Sequence, residues 1–319
     1  MYYIGVLSGE HNKIPLAELE AVIGTVSNDY SVMEKKNKTV FFRAGDIDFS
    51  RLAYTKEVSE MVKKFSIDSI PDLKDIDIDG SFAVRPYIIE GDCVDKRELA
   101  AKIGEKLGGK NNYVDLEEPE NVFRAFVTEN KVFLSRKVFE NDGESFEERR
   151  SHLRPFSSPV SLHPKLARCL VNLSGVKNGN FLLDPFCGTG GILIEAGMIG
   201  VKVKGIDKDP KMVKGCIRNL EHFEIKEKEI IEGDAFEKML TIGDADVIVT
   251  DLPYGRASKK NLGMEEMVKN IIENGKKIGT DRIVFMVNKE ELCGLKPDFK
   301  YFVHRSLDRY IYILNPQNL

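Results

Sequence analysis

Four aspartates each close a short apolar segment, a placement that can gather carboxylates for chemistry. Asp184 follows the letters FLL and opens the glycine-rich turn DPFCGTGG, and Asp207, Asp234 and Asp251 close the next three apolar segments. In an open parallel sheet the carboxyl ends of the strands meet at one edge, and ligands bind there. Carboxylates held at one edge repel each other, so stability alone does not explain them. The spacing therefore predicts a ligand site.

The glycine-rich turn indicates the kind of ligand. Glycines between a strand and a helix let a ligand approach the backbone and its N–H groups closely. Their spacing matches neither GxGxxG nor GxxxxGK(S/T), which disfavours a P-loop nucleotide hydrolase. Asp184 would repel a pyrophosphate and would suit a cationic or ammonium-bearing ligand. Taken alone, a turn aspartate in a flexible loop would explain the same residues.

Two further aspartates favour a nucleoside as the ligand. Asp207 lies 19 residues beyond Gly188, where nucleoside-binding folds place an acid that accepts hydrogen bonds from both ribose hydroxyls. A carboxylate at this place excludes a 2′-phosphate, so NADP is not expected. Asp234 stands where the amino group of an adenine could donate a hydrogen bond to it.

The fourth segment ends in Asp251-Leu252-Pro253-Tyr254, which suits a planar base with an exocyclic amine. The Asp251 carboxylate and the Leu252 carbonyl can both accept hydrogen bonds from the amine, and Pro253 makes the turn rigid. Tyr254 can stack on the ring. A proline turn whose tyrosine packs on the sheet edge is the alternative, but the upstream acids favour a base-binding site.

These residues need a parallel sheet to position them, and the sequence from Leu162 onward has the matching pattern. Short apolar segments alternate with helical segments of ten or more residues, which predicts an open parallel sheet covered on both faces. Upstream, the pattern of residues 1–66 predicts a strand–helix–strand–strand module with a helical segment before Phe65. The pattern of residues 81–139 predicts a compact α+β unit. Connecting segments lie around residues 67–80 and 141–161.

Composition excludes several classes of protein. The chain has 319 residues, a length that favours two or three domains. Because 42% of its residues are hydrophobic and 31% are charged, it can bury a core. Its apolar runs are shorter than the ~20 residues that span a bilayer, and the N-terminus has no secretory signal pattern. The five cysteines and five histidines lack CxxC, HxxxH and HExxH spacing, which predicts reduced thiols in the cytoplasm and no metal.

The net charge of −4 is unevenly distributed. Residues 1–150 carry a net −7 and residues 151–319 a net +3. Nucleic-acid-binding domains are usually basic overall, so an RNA partner would have to meet local basic patches here. The clearest candidate runs from Arg149 to Leu183, a stretch without acidic residues that includes Arg150 and Arg154. An anion-binding surface and a solvated linker both fit this stretch.

Taken in order, the sequences DPFCGTGG, the acid Asp207, GDA and DLPYG resemble a Rossmann-like S-adenosylmethionine-dependent methyltransferase acting on exocyclic amines. The upstream sequence RPFSSPVSLHPKLARCLVNL resembles the archaeal and eukaryotic tRNA guanine-10 N2-methyltransferases. The segments FAVR, ELAAKIGEKL, VDLEEPE and VFLSRKV are similar to parts of a THUMP RNA-binding domain. One departure is Leu252, where that family usually has a proline: the backbone carbonyl is kept, but the restriction on φ is lost.

The resemblance implies a fold, a division into domains and an activity. It implies an α/β chain with a Rossmann-like class I methyltransferase domain at residues 161–319. A ferredoxin-like region at 1–66, a THUMP domain at 67–140 and a linker at 141–160 would precede it. The implied reaction transfers one or two methyl groups from S-adenosylmethionine to the exocyclic N2 of a guanosine in tRNA, at position 10. tRNA would be the partner, and the resemblance implies neither a bound metal ion nor association with a membrane.

The same resemblance assigns roles to residues. The catalytic site would be Asp251, Leu252, Pro253 and Tyr254, with the tyrosine stacking on a guanine taken out of its stack. The cofactor would contact His163, Pro164, Asp184, Phe186, Cys187, Gly188, Thr189, Gly190, Asp207, Lys208, Asp234, Ala235 and Asp251. The basic residues expected to contact RNA are Lys131, Arg136, Lys137, Arg149, Arg150, Arg154 and Arg256.

Some alternatives stay open at this point. His163 and Pro164 could equally form a structural cap, and Cys187 is expected to pack inside the turn rather than act as a nucleophile. The chain could instead be another RNA or DNA amino-methyltransferase with the same catalytic site, acting on guanine-N2 or adenine-N6, or a protein amino-methyltransferase. A non-catalytic RNA-binding adaptor would not bind the cofactor, and the intact acids argue against it.

Overall fold

The computed structural model describes residues 1–26, 29–91, 94–109, 112–158, 161–253, 263–304 and 307–319. These residues form two compact units. The first consists of Met1–Glu10, Val26–Ser50 and Thr55–Asn141, and the second of His11–Thr25, Arg51–Tyr54 and Asp142–Leu319. Within the described ranges, no helix is long and apolar enough to cross a membrane.

The elements up to residue 141 are mostly strands. In chain order they are β1 (Tyr2–Leu7), α1 (Ile14–Val26), β2 (Ser31–Lys36), β3 (Thr39–Arg43), β4 (Thr55–Ser66), β5 (Gly80–Glu90), α2 (Lys96–Leu107), β6 (Asn112–Val114), β7 (Asn121–Thr128) and β8 (Lys131–Glu140). The strands form one sheet in the order β2-β3-β1-β4-β8-β7-β5-β6.

Helix α2 follows the sequence pattern closely. Asp95 caps its N-terminus by accepting hydrogen bonds from the backbone N–H groups of the first turn. Leu99, Ile103 and Leu107 recur on one face and are buried against the sheet, as their i, i+4, i+8 spacing predicts.

The predicted helical segment before Phe65 is wrong, because these residues form strand β4. β4 pairs antiparallel with β1 on one side and with β8 on the other. The pairing with β8 is irregular between Val58 and Ser59 and again between Met61 and Lys63. Such bulges break the two-residue alternation that identifies a strand in a sequence, so only the neighbouring strands fix this conformation.

Strand β4 also bears on the division of this half of the chain. Because β4 pairs with both β1 and β8, the regions predicted as 1–66 and 67–140 share one sheet. The division into a ferredoxin-like region and a THUMP domain stays a prediction.

The rest of the chain alternates helices and strands, as predicted. Its elements are α3 (Glu144–Glu148), α4 (Pro164–Leu173), β9 (Phe181–Asp184), α5 (Gly191–Gly197), β10 (Lys202–Asp207), α6 (Pro210–His222), β11 (Lys228–Glu232), α7 (Ala235–Met239), β12 (Val247–Asp251), α8 (Met264–Lys277), β13 (Arg282–Val287), β14 (Phe299–His304) and β15 (Leu307–Leu314). The sheet order is β11-β10-β9-β12-β13-β15-β14. Strands β9 to β13 pair in parallel, and β15 runs antiparallel to β13.

Successive residues of the central strands pack on opposite faces of this second sheet. Leu182 of β9 lies in one apolar cluster with side chains of α4 and α5, while Leu183 lies in the other with side chains of α7 and α8. Val249 and Ile248 of β12 divide in the same way. A parallel sheet buried on both faces requires the near-continuous apolar strands seen in the sequence. The predicted doubly covered sheet is confirmed.

A buried carboxylate explains why α1 groups with the second unit. Glu18 on α1 is fully buried and accepts hydrogen bonds from the backbone N–H groups of Ala53 (2.9 Å) and Tyr54 (2.7 Å). It also accepts one from Asn172 Nδ2 on α4, at 2.7 Å. Burial raises the pKa of Glu18, and these donors oppose the rise. The hydrogen bonds tie α1 and residues 51–54 to α4.

Candidate active site

The ends of β9, β10 and β12 meet at one edge of the second sheet, here called the carboxyl edge. The turn between β9 and α5 has two glycines with positive φ, Gly188 at +51° and Gly190 at +84°. A Cβ on Gly190 would lie 2.8 Å from Cys216 Sγ, so a side chain does not fit there. Apart from Gly188 and its two chain neighbours, no residue that the structure describes has an atom within 4 Å of the corresponding position on Gly188. The backbone of the turn is therefore open on that side.

Asp184 ends β9 and is 3% exposed. Its Oδ1 accepts hydrogen bonds from Thr250 Oγ1 at 2.7 Å and from the Phe186 backbone N–H at 3.1 Å. Burial raises the pKa of Asp184 to about 7; these two hydrogen bonds oppose the rise, and the charges of Asp251 and Asp207 add to it. A cationic ligand beside Asp184 would relieve this cost.

Asp207 connects the end of β10 to the glycine turn. Its Oδ2 accepts a hydrogen bond from the Gly188 N–H at 2.9 Å, and its Oδ1 accepts one from the Asp209 N–H at 2.9 Å. The carboxylate thus fixes the turn and still lies half-buried at the carboxyl edge. Lys208, next in sequence, is exposed.

Asp234 has a structural task that the sequence reasoning did not foresee. It is exposed and caps α7, accepting hydrogen bonds from the N–H groups of Phe236 (2.9 Å) and Glu237 (3.4 Å). Ala235 behind it is buried. The Phe236 ring meets Phe186 of the glycine turn edge to face, with centroids 5.9 Å apart, which gives this side of the site apolar rings.

Asp251 ends β12 and is held by a residue that the sequence reasoning missed. Arg309 on β15 donates from Nη2 to both carboxylate oxygens, at 2.5 Å each. Its strand neighbour Tyr310 pairs with Val287, the last residue of β13, so Arg309 lies just beyond the end of that intervening strand. The only signal in the sequence was a cation within the largely apolar segment RYIYIL.

The Asp251–Arg309 pair is well shielded from solvent. Their side chains are 18% and 4% exposed. Burial raises the pKa of Asp251 to about 6, while the charge of Arg309 and its hydrogen bonds oppose the rise. Arg309 therefore keeps a buried carboxylate largely ionised near neutral pH.

The residues after Asp251 are only partly described. Leu252 is fully buried, and its N–H donates to the Met286 carbonyl at 3.0 Å. A proline could not make this bond, so the leucine gains a sheet hydrogen bond where it loses the restriction on φ. Pro253 is half-buried. Tyr254 and Arg256, predicted to stack on a base and to contact RNA, lie outside the described residues.

Other predicted cofactor residues lie beside the turn and have structural contacts. His163 caps α4: its Nδ1 accepts from the Lys165 N–H at 3.2 Å, and Pro164 begins the helix. Cys187 is 5% exposed, and the neighbouring Cys216 and burial raise the pKa of its thiol. The side chain of Cys187 therefore stays protonated, which is consistent with the predicted packing role and inconsistent with a role as nucleophile. Within the described ranges, no cluster of metal ligands occurs.

The predicted basic patch at Arg149 and Arg154 is wrong as a surface, because both side chains lie in the interior. Arg149 is 7% exposed and donates to both oxygens of the buried Glu195, at 2.8 and 3.2 Å. Arg168 pairs with the same carboxylate at 2.9 Å. Arg154 is 5% exposed, and only Arg150 of the three predicted arginines keeps a largely exposed side chain (47%).

The three predicted basic residues of β8 do not form one patch. Lys131 is exposed, and Lys137, on the same face of the strand, pairs with Glu140. Arg136 points to the opposite face, where it donates to the Asp77 carbonyl and lies over the ring of Phe123.

A seven-stranded sheet of this order, whose first parallel strand leads through a glycine turn to acids at the carboxyl edge, is the architecture of class I methyltransferases. The chain matches the family model for the RMKL-like methyltransferase domain over residues 151–294. It is also similar in fold to the crystal structure of TrmN from Thermus thermophilus, with a TM-score of 0.52, 17% identity and 99% of both chains covered.

Two curated proteins are similar over nearly their whole length. The tRNA (guanine(10)-N2)-dimethyltransferase of Methanothermobacter thermautotrophicus is 37% identical over 97% of this chain and 98% of its own. The protein of the same name from Methanocaldococcus jannaschii is 35% identical, with the same shares covered. The chain belongs to the tRNA (guanine(10)-N2)-dimethyltransferase family.

The methyl donor of this class is S-adenosylmethionine, and the carboxyl edge fits it. The open backbone at Gly188 leaves room for a ligand, and Asp207 stands at the strand end that suits ribose hydroxyls. Asp251 supplies negative charge for a ligand with a sulfonium and an ammonium group, and a cation bound beside Asp184 would favour loss of its proton.

Replacing Asp184 with asparagine is expected to stabilise the ligand-free protein, and more at about pH 8 than at about pH 5.5. The folded protein holds a proton here up to about pH 7, whereas an unfolded aspartate loses it near pH 4, so this site costs stability as the pH rises through that window. The difference between the two pH values should be roughly 2 kcal/mol in the free energy of unfolding. Urea unfolding of both proteins measures it.

The matched control is the exposed Asp281, whose replacement by asparagine should leave the pH dependence unchanged. An equal effect of Asp184→Asn at both pH values would contradict the buried, proton-retaining state of Asp184.

Proposed function

We propose that this protein transfers methyl groups from S-adenosylmethionine to the exocyclic N2 of a guanosine in tRNA, at position 10. The observation that carries the proposal is a buried, arginine-held carboxylate, Asp251, at the end of β12 beside the donor site. The family to which the chain belongs supports the substrate, since two relatives that cover nearly the whole chain are named for this reaction. Their name supports the addition of two methyl groups.

The donor would lie across the glycine turn. When bound, S-adenosylmethionine supplies a methyl group on a positively charged sulfur, which is already activated for transfer. Gly188, Thr189 and Gly190 would line its methionine part, and Asp207 would accept hydrogen bonds from the ribose hydroxyls. Asp234 has its Oδ1 committed to the α7 cap, and its position at the end of β11 still suits the adenine edge.

The task of Asp251 follows from the chemistry of the acceptor. The N2 amine of guanine is conjugated with its ring and is a poor nucleophile. Asp251 would accept a hydrogen bond from one N–H, which favours rehybridisation of the nitrogen and takes up the developing positive charge. A carboxylate has about four acceptor positions, so the amine can bind while Arg309 keeps its own contacts.

The Leu252 carbonyl would accept from the same amine. Leu252 is anchored on β13 through its bond to the Met286 carbonyl, which fixes the backbone that a proline would otherwise stiffen. Tyr254 would stack on the flipped guanine. We place the reaction in the cytoplasm, which is consistent with the free thiols of the described cysteines: Cys169, Cys187, Cys216 and Cys293.

A test of the activity uses an unmodified tRNA transcript, S-adenosylmethionine and the full chain. Mass spectrometry of the nucleosides should show N2-methylated and N2,N2-dimethylated guanosine, and a transcript with adenosine at position 10 should give neither. Asp251→Ala should lower kcat by at least about 100-fold, because it removes the group that stabilises the developing charge. Methylation of another nucleoside would overturn the proposal, and an unchanged rate in Asp251→Ala would remove Asp251 from the mechanism.

Replacing Arg309 with glutamine is expected to move the acid limb of the kcat pH profile upward by about 1 unit or more. Asp251 must be ionised to accept the amine, and the groups that face it include Asp184 from β9 and Arg309 from β15. Without the arginine, burial alone favours the protonated acid. Arg309→Lys, which keeps the charge, should restore most of the profile at saturating donor. A lower rate with an unshifted limb in Arg309→Gln would contradict this.

A basic face on α6 is a better candidate for RNA contact than the interior arginines. Lys211, Lys214 and Arg218 recur at i, i+3, i+7 and are exposed. Together with neighbouring residues they line a cleft of about 380 Å³, whose other members are Phe156, Pro210 and Gly215. Helix α6 begins just after Asp207, so its first turn with Lys211 lies next to the carboxyl edge, and Lys214 and Arg218 follow along the helix. Basic side chains beside an aromatic ring are typical of surfaces that bind single-stranded RNA.

The triple variant Lys211→Gln, Lys214→Gln, Arg218→Gln is expected to weaken tRNA binding about tenfold or more and to make its salt dependence shallower. The affinity for S-adenosylmethionine should stay the same. Filter binding over a range of salt concentrations measures both effects on tRNA. Lys226, Lys276 and Lys277, changed together to glutamine, provide a control of equal charge; an equal loss in both triple variants would contradict a specific surface on α6.

A further inference from the structure

Arg154 is a buried cation whose charge is not matched. It is 5% exposed, and its Nε donates to the Arg149 carbonyl at 2.9 Å. Neither terminal nitrogen, Nη1 or Nη2, has a hydrogen-bond partner among the residues that the structure describes. Leaving a buried guanidinium without partners is costly, so a folded protein retains one only where something compensates for it.

The nearest acid does not compensate for it. Glu195 is fully buried, but its Oε1 and Oε2 already accept from Arg149, and its Oε2 also accepts from Arg168. Burial lowers the pKa of Arg154; Glu195 opposes this and Arg149 adds to it. The cluster thus holds three buried arginines around one carboxylate, and Arg154 is the one that donates no hydrogen bond to it. Glu18, which is also buried, acts on Arg168 as a second carboxylate. Even with both carboxylates ionised, the three guanidiniums leave one positive charge unmatched.

The segment that carries Arg154 is fastened onto the glycine turn. Asn219 on α6 donates from Nδ2 to the carbonyls of Phe156 (2.8 Å) and Thr189 (2.9 Å) and accepts from the Phe156 N–H (2.9 Å). Ser161 Oγ lies 3.2 Å from Thr189 Oγ1.

The same segment places the guanidinium of Arg154 against the residue that follows the turn. A Cβ added to Gly191 would lie 3.4 Å from Arg154 Nη1. The unpaired cation therefore lies where the turn leads into α5.

We propose that Arg154 binds the α-carboxylate of the methionine part of S-adenosylmethionine. The inference rests on the proposed function, because it needs this donor at the glycine turn. The donor carries a sulfonium, an ammonium and one carboxylate. The acids of the carboxyl edge, Asp184, Asp207 and Asp251, suit the two cations and repel the carboxylate. A guanidinium with two N–H-bearing nitrogens unpaired can bind a carboxylate through two parallel hydrogen bonds.

Two competing roles for Arg154 predict different outcomes. If it binds an RNA phosphate, as the basic stretch suggested, its loss would weaken tRNA binding and not donor binding. If it only fills space, its loss would weaken every ligand of the turn to the same extent.

The test compares S-adenosylmethionine with its decarboxylated analogue, which keeps the sulfonium and the amine but lacks the carboxylate. Isothermal titration calorimetry measures both ligands on the full-length wild type, Arg154→Gln and Arg154→Lys. The wild type should bind S-adenosylmethionine about 10- to 100-fold more tightly than the analogue. Arg154→Gln should lose this preference by weakening only S-adenosylmethionine, and Arg154→Lys should keep part of it.

Arg168→Gln is the matched control, because it removes a buried guanidinium beside the same Glu195. It should lower the Tm and leave the ratio of the two affinities unchanged. A second readout needs no ligand: ligand-free Arg154→Gln should be at least as stable as the wild type, because a cation without partners is removed.

Three results would overturn the inference while leaving the proposed function intact. They are an unchanged affinity of Arg154→Gln for S-adenosylmethionine, an equal loss for both ligands, and a loss confined to tRNA binding. A wild type that binds neither ligand would instead overturn the proposed function itself.

Discussion

The candidate site is governed by the cost of burying carboxylates, which the protein's own hydrogen-bond donors offset only in part. Asp184 and Asp251 end neighbouring parallel strands. Burial raises the pKa of Asp184 to about 7, and the charges of Asp251 and Asp207 add to this rise. Burial raises the pKa of Asp251 to about 6, against the opposing charge and hydrogen bonds of Arg309. Each carboxylate has specific protein partners: Asp184 has the Thr250 hydroxyl and a backbone N–H, and Asp251 has Arg309. If the methyl donor binds at this edge as proposed, its positive charge removes part of the remaining electrostatic cost and so contributes to its affinity.

The cost of burying a charge also distinguishes two sets of buried arginines. Arg149 and Arg168 share Glu195 and form a closed ion cluster that ties the segment after α3 to α4 and α5. Arg309 and Arg154 lie closer to the candidate site: Arg309 pairs with Asp251, and Arg154 lies beside the glycine turn. Of these four buried arginines, Arg149, Arg168 and Arg309 pair with a carboxylate of the protein, and Arg154 is the one for which we propose a carboxylate of the ligand.

Most elements of the methyltransferase domain could be predicted from the sequence because the patterns that specify them are local. Apolar strands alternate with helices that have local caps such as Asp209 on α6, so most of these elements could be predicted from short stretches of sequence. The short helices α3 and α7 were not predicted. Strand β4 shows the limit: two bulges remove its alternation, and its conformation comes from pairing with β1 and β8. Asp184, Asp207 and Asp251 could be predicted as a group, because strand ends in a parallel sheet converge whatever the surrounding side chains are.

Within residues 161–319, the order of the longer elements, the glycine turn and the strand-end acids follow from residues close together in the chain. Which charges face solvent and which face each other depends instead on long-range packing. A run of arginines without nearby acids looked like a surface, yet Glu195, 46 residues beyond Arg149, draws that arginine into the interior. Likewise Arg309 meets Asp251 across 58 residues. Pairing over such distances depends on how the sheet and its helices pack, and no local pattern encodes it.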